Sequence, residues 1–357
     1  MNTISNPFPR RALLAGAAGL PLLPALARGQ ARPADTLPAG WRRFELRTEV
    51  TVETGDEPAI LWLPLAQTAG SYQQAAEPVI ATNGRAERVR DARYGAEMLR
   101  ITWPTPREQR VVVTQAVATR ARGAEAAALN GAERALWTAP TESVPTDGIV
   151  AETAQRITAG LRTDEAKLRA LYDWVVENTF RNGSTRGCGT GDIKVMLETG
   201  WLGGKCADIN ALMTGLARSC GIPARDVYGI RVAPSENSRS LGTGSPDITR
   251  AQHCRTEMYV SGRWVPVDPA DIRKIVLEEN LPVESDHVRR QRERLFGNWE
   301  MNWVGYNSAT NVALPGAPRA MDSNFLMYPC AMTAKGEQDC LDPASFRYAI
   351  SSREIGA

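Results

Sequence analysis

GGKCADINALMTGLARSCGIPAR, residues Gly203 to Arg225, decides how this 357-residue chain is read. Ile209, Leu212, Met213, Leu216 and Ala217 recur at steps of three and four, which predicts a helix with one apolar face. Gly221 and then Pro223 end it. Cys206 opens that helix, where unsatisfied N–H groups and a partial positive charge favour thiolate over thiol. Lys205 adds charge beside it, and Gly203 and Gly204 are read as room for a substrate backbone. An exported cysteine is more often half of a disulfide, so position alone does not make Cys206 a nucleophile.

A thiolate nucleophile needs a proton acceptor, and the chain has two histidines. His287 lies in the charged run DHVRRQRERL and reads as a solvated surface residue. His253 lies on the first arm of QHCRTEMYVSGRWVPVDPAD, two strand-patterned runs around a Ser261-Gly262 turn. With that turn as the tip, Val260 faces Arg263 and Arg255 faces Asp268. His253 and Asp268 then share a face as diagonal neighbours. Such a carboxylate orients an imidazole and stabilises its cation. Asp268 is favoured for that place, and a one-residue bulge would present Asp271 instead.

KCADINALMTGLARSCGIPARDVYGIRV followed by QHCRTEMYVSGRWVPVDPAD resembles the core of the transglutaminase-like family, which has the papain-like cysteine-protease fold. The matching positions are Cys206, Gly221 to Arg225, His253 with Glu257, and Trp264 to Asp268, within residues 165–275. Cys254-Arg255 replaces the more usual small and aromatic pair after the histidine. The resemblance implies an α+β core and acyl transfer through a thioester, with Cys206, His253 and Asp268 as the catalytic set. The substrate class would be a peptide or protein amide, with hydrolysis favoured over cross-linking by analogy with bacterial members. No cofactor is implied. The Cys206 backbone N–H is a natural oxyanion donor. Trp201 could wall the groove, although a core tryptophan is the plainer reading. A non-catalytic scaffold that binds an envelope protein or glycan is the rival reading.

Outward from this core, the chain divides by pattern. Arg10-Arg11, the apolar stretch ALLAGAAGLPLLPALA and the small residues after it predict a cleavable twin-arginine signal peptide over 1–31. Pro21 and Pro24 interrupt that stretch, so no membrane anchor is expected after cleavage, and the location would be periplasmic or secreted. Period-two alternation in FELRTEVTVE and RVVVTQAVAT predicts a β-sandwich-like domain over 41–122. Helical spacing returns after 123, and the catalytic domain is expected over 123–280, with 281–357 as an extension packing on the core. Trp299 and Trp303, four apart in that extension, suit a helical face or an irregular wrap. The formal charge is +2, and −1 without residues 1–31, which argues against nucleic acid as a partner.

Export requires an account of all six cysteines. If Ala334-Lys335-Gly336 form a three-residue hairpin loop, Cys330 faces Cys340 and the pair suits a surface disulfide. Cys220 reads as a small buried filler. Cys188, in a glycine-rich loop, and Cys254, beside His253, are a second possible disulfide at the site. A metal is not expected, because no close pair has zinc-ligand spacing.

Overall fold

Trp41–Val52 and Gln109–Arg120, the two strictly alternating runs, form long strands that pair antiparallel from Trp41 opposite Arg120 to Val52 opposite Gln109. They sit in a computed structural model that describes residues 39–52, 57–104, 109–317, 322–344 and 346–356. The expected signal peptide lies outside the described residues. Gln73–Ala75 and Val79–Thr82 extend the sheet along Gln109–Arg120. A second antiparallel sheet is built on Ala59–Pro64 between Glu97–Trp103 and Cys330–Thr333. Val50, Val52, Val111 and Val113 from the first sheet bury against Leu61, Leu63, Leu99 and Ile101 from the second, which makes the sandwich.

The sheet that carries His253 runs Trp303–Asn307, Ala224–Arg231, Gln252–Val260, Arg263–Val267 and Glu125–Ala126, all antiparallel. Its central hairpin has the register implied by the sequence, with Val260 opposite Arg263 and Thr256 opposite Val267. Ser261 (φ 49°) and Gly262 (φ 75°) both take left-handed backbone, the requirement of a tight two-residue hairpin turn. The cysteine helix, Cys206–Ser219, packs on the Gln252–Val260 strand and against the helices Gly148–Ile157 and Asp164–Asn178.

That helix is buried all round rather than on one face. Ile209, Leu212, Met213 and Leu216 are fully covered, each contributing roughly 1.5–3 kcal/mol of apolar burial. Its polar residues are buried too, and each has a partner. Thr214 Oγ1 lies 2.8 Å from Asp226 and 2.7 Å from Thr256 Oγ1, and Arg218 donates to the carbonyls of Ala224 and Ala139. A buried polar group without such partners costs about 1–3 kcal/mol, so the helix can sit centrally only because these bonds are made.

The tail does more than pack on the core around the cysteine helix. Trp303–Asn307 joins the sheet that carries His253, but Cys330–Thr333 and Gly336–Gln338 extend one sandwich sheet and Arg347–Glu354 pairs with Trp41–Val52 in the other. Unpaired strand edges attract further strands, and these tail segments cover two of them. Phe44, Leu46, Val117 and Ile350 from the sandwich share one apolar cluster with Leu212 and Leu216, so the two layers grade into a continuous core. Trp299 and Trp303 are not on a helix: Trp299 bridges to Arg122, Trp303 begins a strand of the sheet, and their buried rings lie 5.7 Å apart.

The register expected to set Cys330 opposite Cys340 is corrected. The hairpin pairs Thr333 with Gly336, not with Glu337, so its loop has two residues, Ala334 and Lys335. Continuing that register brings Cys330 beside Asp339, and the two thiols pack against different apolar clusters. All six cysteines, Cys188 and Cys254 among them, are free in this structure.

Candidate active site

Cys206 is the first residue of its helix, after Lys205 in extended backbone (φ −113°, ψ −160°). Asp208, one turn in, fixes this corner by accepting from Lys205 N at 2.9 Å, Thr190 N at 2.9 Å and Gly191 N at 3.0 Å. It therefore ties the glycine-rich loop to the helix start. As the first residue of the helix, Cys206 has an N–H with no helical carbonyl one turn behind it.

Gly203 and Gly204 do something different from the expected approach space. A Cβ on Gly203 would collide with the Phe180 ring, and one on Gly204 with the Asp208 side chain. They are glycines because neighbours fill that space. Trp201 also stands apart from the cleft lining: it is 58% exposed and meets Phe180 edge-on at 5.0 Å. Cys254 is fully buried and lies beneath the site rather than along its wall.

The histidine strand and the hairpin arm bring the other two residues in. His253 Nε2 meets Asp268 Oδ2 at 2.8 Å, and Asp271 Oδ1 follows at 3.5 Å. Asp268 also caps the helix Pro269–Glu278, accepting Asp271 N at 3.1 Å, so the turn chemistry of Asp-Pro and the orientation of His253 come from one side chain. With Nε2 on the carboxylate, Nδ1 is the other ring nitrogen, and His253 and Cys206 line the same cleft. The Trp303 indole holds the ring's strand in place by donating to the His253 carbonyl at 2.9 Å.

Charge organises the surroundings. Burial and Arg231 both oppose a charged His253, but Asp271 and Asp268 outweigh them and raise its pKa. Burial raises Asp268, with the Asp271 charge adding to it. Burial opposes ionisation of Asp271 as well, yet the Arg231 and His253 charges hold it well below the usual carboxylate range. Arg231 bonds both Asp271 and the Leu241 carbonyl. The two carboxylates thus differ: one is anchored to arginine, the other faces the imidazole more closely.

Three thiols converge here. The Cys188 and Cys254 side chains, together with His253, hold Cys206 well below the ordinary thiol range despite burial. Cys188 is pushed up by its bond to Cys206 and by burial, and Cys254 by burial first. Tyr328 Oη donates to Cys188 Sγ at 3.1 Å, and Asn210 Nδ2 donates to the Cys254 carbonyl at 2.8 Å. Sequence reasoning missed Asp208, Asn210 and Arg231. Cys206, Asn210 and Thr214 are spaced by four, so a polar stripe on a helix read as apolar was the available signal for Asn210.

Cys206 and His253 open onto a cleft of about 680 Å³ whose wall also takes Cys188, Gln252 and, from the tail, Tyr328 and Phe346. His253, Asp268 and Asp271 are the group among the described residues whose ligand atoms lie close enough to suit a metal ion. Arg231 and Arg255 already compensate those carboxylates, so no second charge is wanted there. His287, expected at the surface, is half-buried and lies 3.0 Å from Ser238 Oγ, far along the chain from this site. Cys220 is half-buried, 3.8 Å from Thr158 Oγ1.

Residues 151–269 match the model of the transglutaminase-like superfamily. An uncharacterized protein of Haemophilus influenzae is 34% identical over 322 residues, covering 83% of this chain and 86% of its own. A crystal structure of a candidate cysteine protease from Cytophaga hutchinsonii aligns over 89% of this chain and 92% of that one, with a TM-score of 0.53 at 15% identity. The periplasmic domain of TgpA from Pseudomonas aeruginosa aligns more loosely, over 71% and 93%, with a TM-score of 0.37 at 14% identity. The helix-borne cysteine, antiparallel hairpin and ordered motifs of this chain agree with the family match: the chain belongs to the transglutaminase-like superfamily.

Proposed function

We propose that the protein is an exported thiol hydrolase that cleaves peptide or amide bonds through a thioester on Cys206. The observation that carries this reading is the convergence of the lowered Cys206 thiol with His253, whose far nitrogen is 2.8 Å from Asp268. A reactive thiol in a water-accessible cleft, backed by an oriented imidazole, has the parts that covalent acyl transfer needs.

The Cys206 thiolate attacks the amide carbonyl, and the carbonyl electron pair moves to oxygen beside the Cys206 N–H. The imidazolium of His253 gives its Nδ1 proton to the departing nitrogen as the C–N bond breaks, leaving an acyl thioester. Neutral His253 then takes a proton from water, whose oxygen attacks the thioester carbonyl, and the acid leaves as the thiolate returns. Asp268 keeps its charge throughout and stabilises the imidazolium. The open cleft supports water as the acceptor, and the apolar stretch after Arg10-Arg11 supports export by the twin-arginine route.

The test uses p-nitrophenyl acetate as an acyl donor and mass mapping as the readout. An acetyl group on Cys206, released with time in water and absent in His253→Ala, is the expected result. Stable protein with no acetylation at Cys206 overturns the reading and favours a binding scaffold. A labelled primary amine added to the same reaction reports cross-linking if it captures the acyl group in preference to water.

A further inference from the structure

We propose that the cleft selects peptides carrying a carboxylate close to the scissile amide, an inference that rests on Cys206 being the nucleophile. The cleft is lined by six cations, Arg181, Arg186, Lys205, Arg231, Arg250 and Lys274, and by one acidic residue, Asp247. The carboxylates that pair with them do not balance this charge. Arg181 and Lys274 share Glu278, at 3.3 Å and 3.7 Å; Arg186 has Asp339, and Arg231 has Asp271. Among the described residues no carboxylate lies within ion-pair distance of Lys205 or Arg250. A chain near neutral overall therefore concentrates positive charge where its substrate must enter.

The burial of these groups gives the excess its force. The side chains of Arg181 and Lys274 are each only 14% exposed, and burial, helped by Arg231, lowers Lys274 to about 8. A cation held out of water and short of a partner gains from an anion that replaces the lost hydration. The tail supplies Leu341, Pro343 and Phe346 to the same cleft, so the field acts across an apolar wall and is less screened than on an open surface. Such a cleft suits a ligand with an apolar portion and a carboxylate, whether from an acidic side chain or a chain terminus.

Matched thiol electrophiles separate this inference from the reading beneath it. Iodoacetamide and iodoacetate both give an S–CH2 bond at Cys206 and release iodide, but only the second is anionic. Their rate ratio at Cys206, read by mass mapping on the full chain, is normalised to the ratio for free cysteine. The expected preference for iodoacetate is about tenfold, lost in about 1 M salt and reduced in Arg250→Gln and in Lys274→Gln. Arg250 is exposed, so its replacement spares the fold. A normalised ratio of one overturns the inference while leaving fast iodoacetamide labelling, and hence the nucleophile, intact. No fast labelling by either reagent overturns both.

Protection from iodoacetamide then identifies the source of the carboxylate. N-acetyl-glutamate α-amide reports a side-chain acid, N-acetyl-glutamine a terminal acid, and N-acetyl-glutamine α-amide is the neutral control. Better protection by either acid supports the proposal and names the source. Equal protection by all three, or by none, counts against it.

Discussion

Asp268 accepts from two directions at once: His253 Nε2 at 2.8 Å through Oδ2, and the Asp271 N–H at 3.1 Å through Oδ1. One carboxylate thereby sets the imidazole and starts a helix. Asparagine caps helices as well as aspartate but lacks the charge. Asp268→Asn is expected to remain folded and to lower Cys206 acylation by roughly 10²–10⁴-fold, read as the p-nitrophenyl acetate rate. Asp271→Asn strips the buried Arg231 of its partner and is expected to lose about 3–5 kcal/mol in a denaturant titration. If the two variants exchanged these effects, Asp271 would be the orienting residue.

Removing a thiol neighbour tests what holds the nucleophile ionised. The Cys188 side chain is the first cause of the lowered Cys206 thiol, so Cys188→Ala is expected to raise the Cys206 pKa and move the iodoacetamide pH profile to higher pH. An unmoved profile would assign Cys188 to packing alone.

Asp226, beneath the cysteine helix, is raised by burial from 3.8 to about 6 although Thr214 bonds it. A carboxyl raised on folding binds its proton more tightly in the folded chain. Its contribution is full below pH 3.8 and is lost as pH rises to about 6, a loss on the order of 3 kcal/mol. Asp226→Asn is expected to keep the Thr214 contact, melt higher at pH 7 and show a flatter melting profile between pH 4 and 6.

Glu257 is fully buried between Arg225, 2.6 Å away, and Arg122, whose guanidinium sits over Tyr72 and Trp299. Glu257→Gln leaves two cations uncompensated and is expected to cost about 3–5 kcal/mol. Adding Arg122→Met should recover part of that loss, and a double-mutant cycle in urea measures how much.

The parts of the fold that were legible in the sequence are those with local causes. The helix period around Leu212 and the two-residue turn at Ser261-Gly262 each dictate their own geometry within a few residues, and the turn carries His253 to Asp268. Cys330 shows how fine the margin is: Gly336, with φ 111°, sits at the strand start rather than in the loop, and one residue of slip changes the neighbour of Cys340. Arg231 and Asn210 were hidden because their partners come from segments 40 and 58 positions away. Gly203 and Gly204 misled because a glycine in sequence does not reveal what occupies the space beside it.

The pairing of Trp41–Val52 with Arg347–Glu354 joins strands about three hundred residues apart. During synthesis the first strand must wait with one edge open until Arg347–Glu354 has left the ribosome. Closing so long a loop makes the last assembly step slow, and the waiting edge is open to wrong partners in the meantime. The Arg347–Glu354 strand therefore acts as a clasp, and a chain that stops before Arg347 should stay soluble poorly and refold slowly even with the sheet that carries His253 intact.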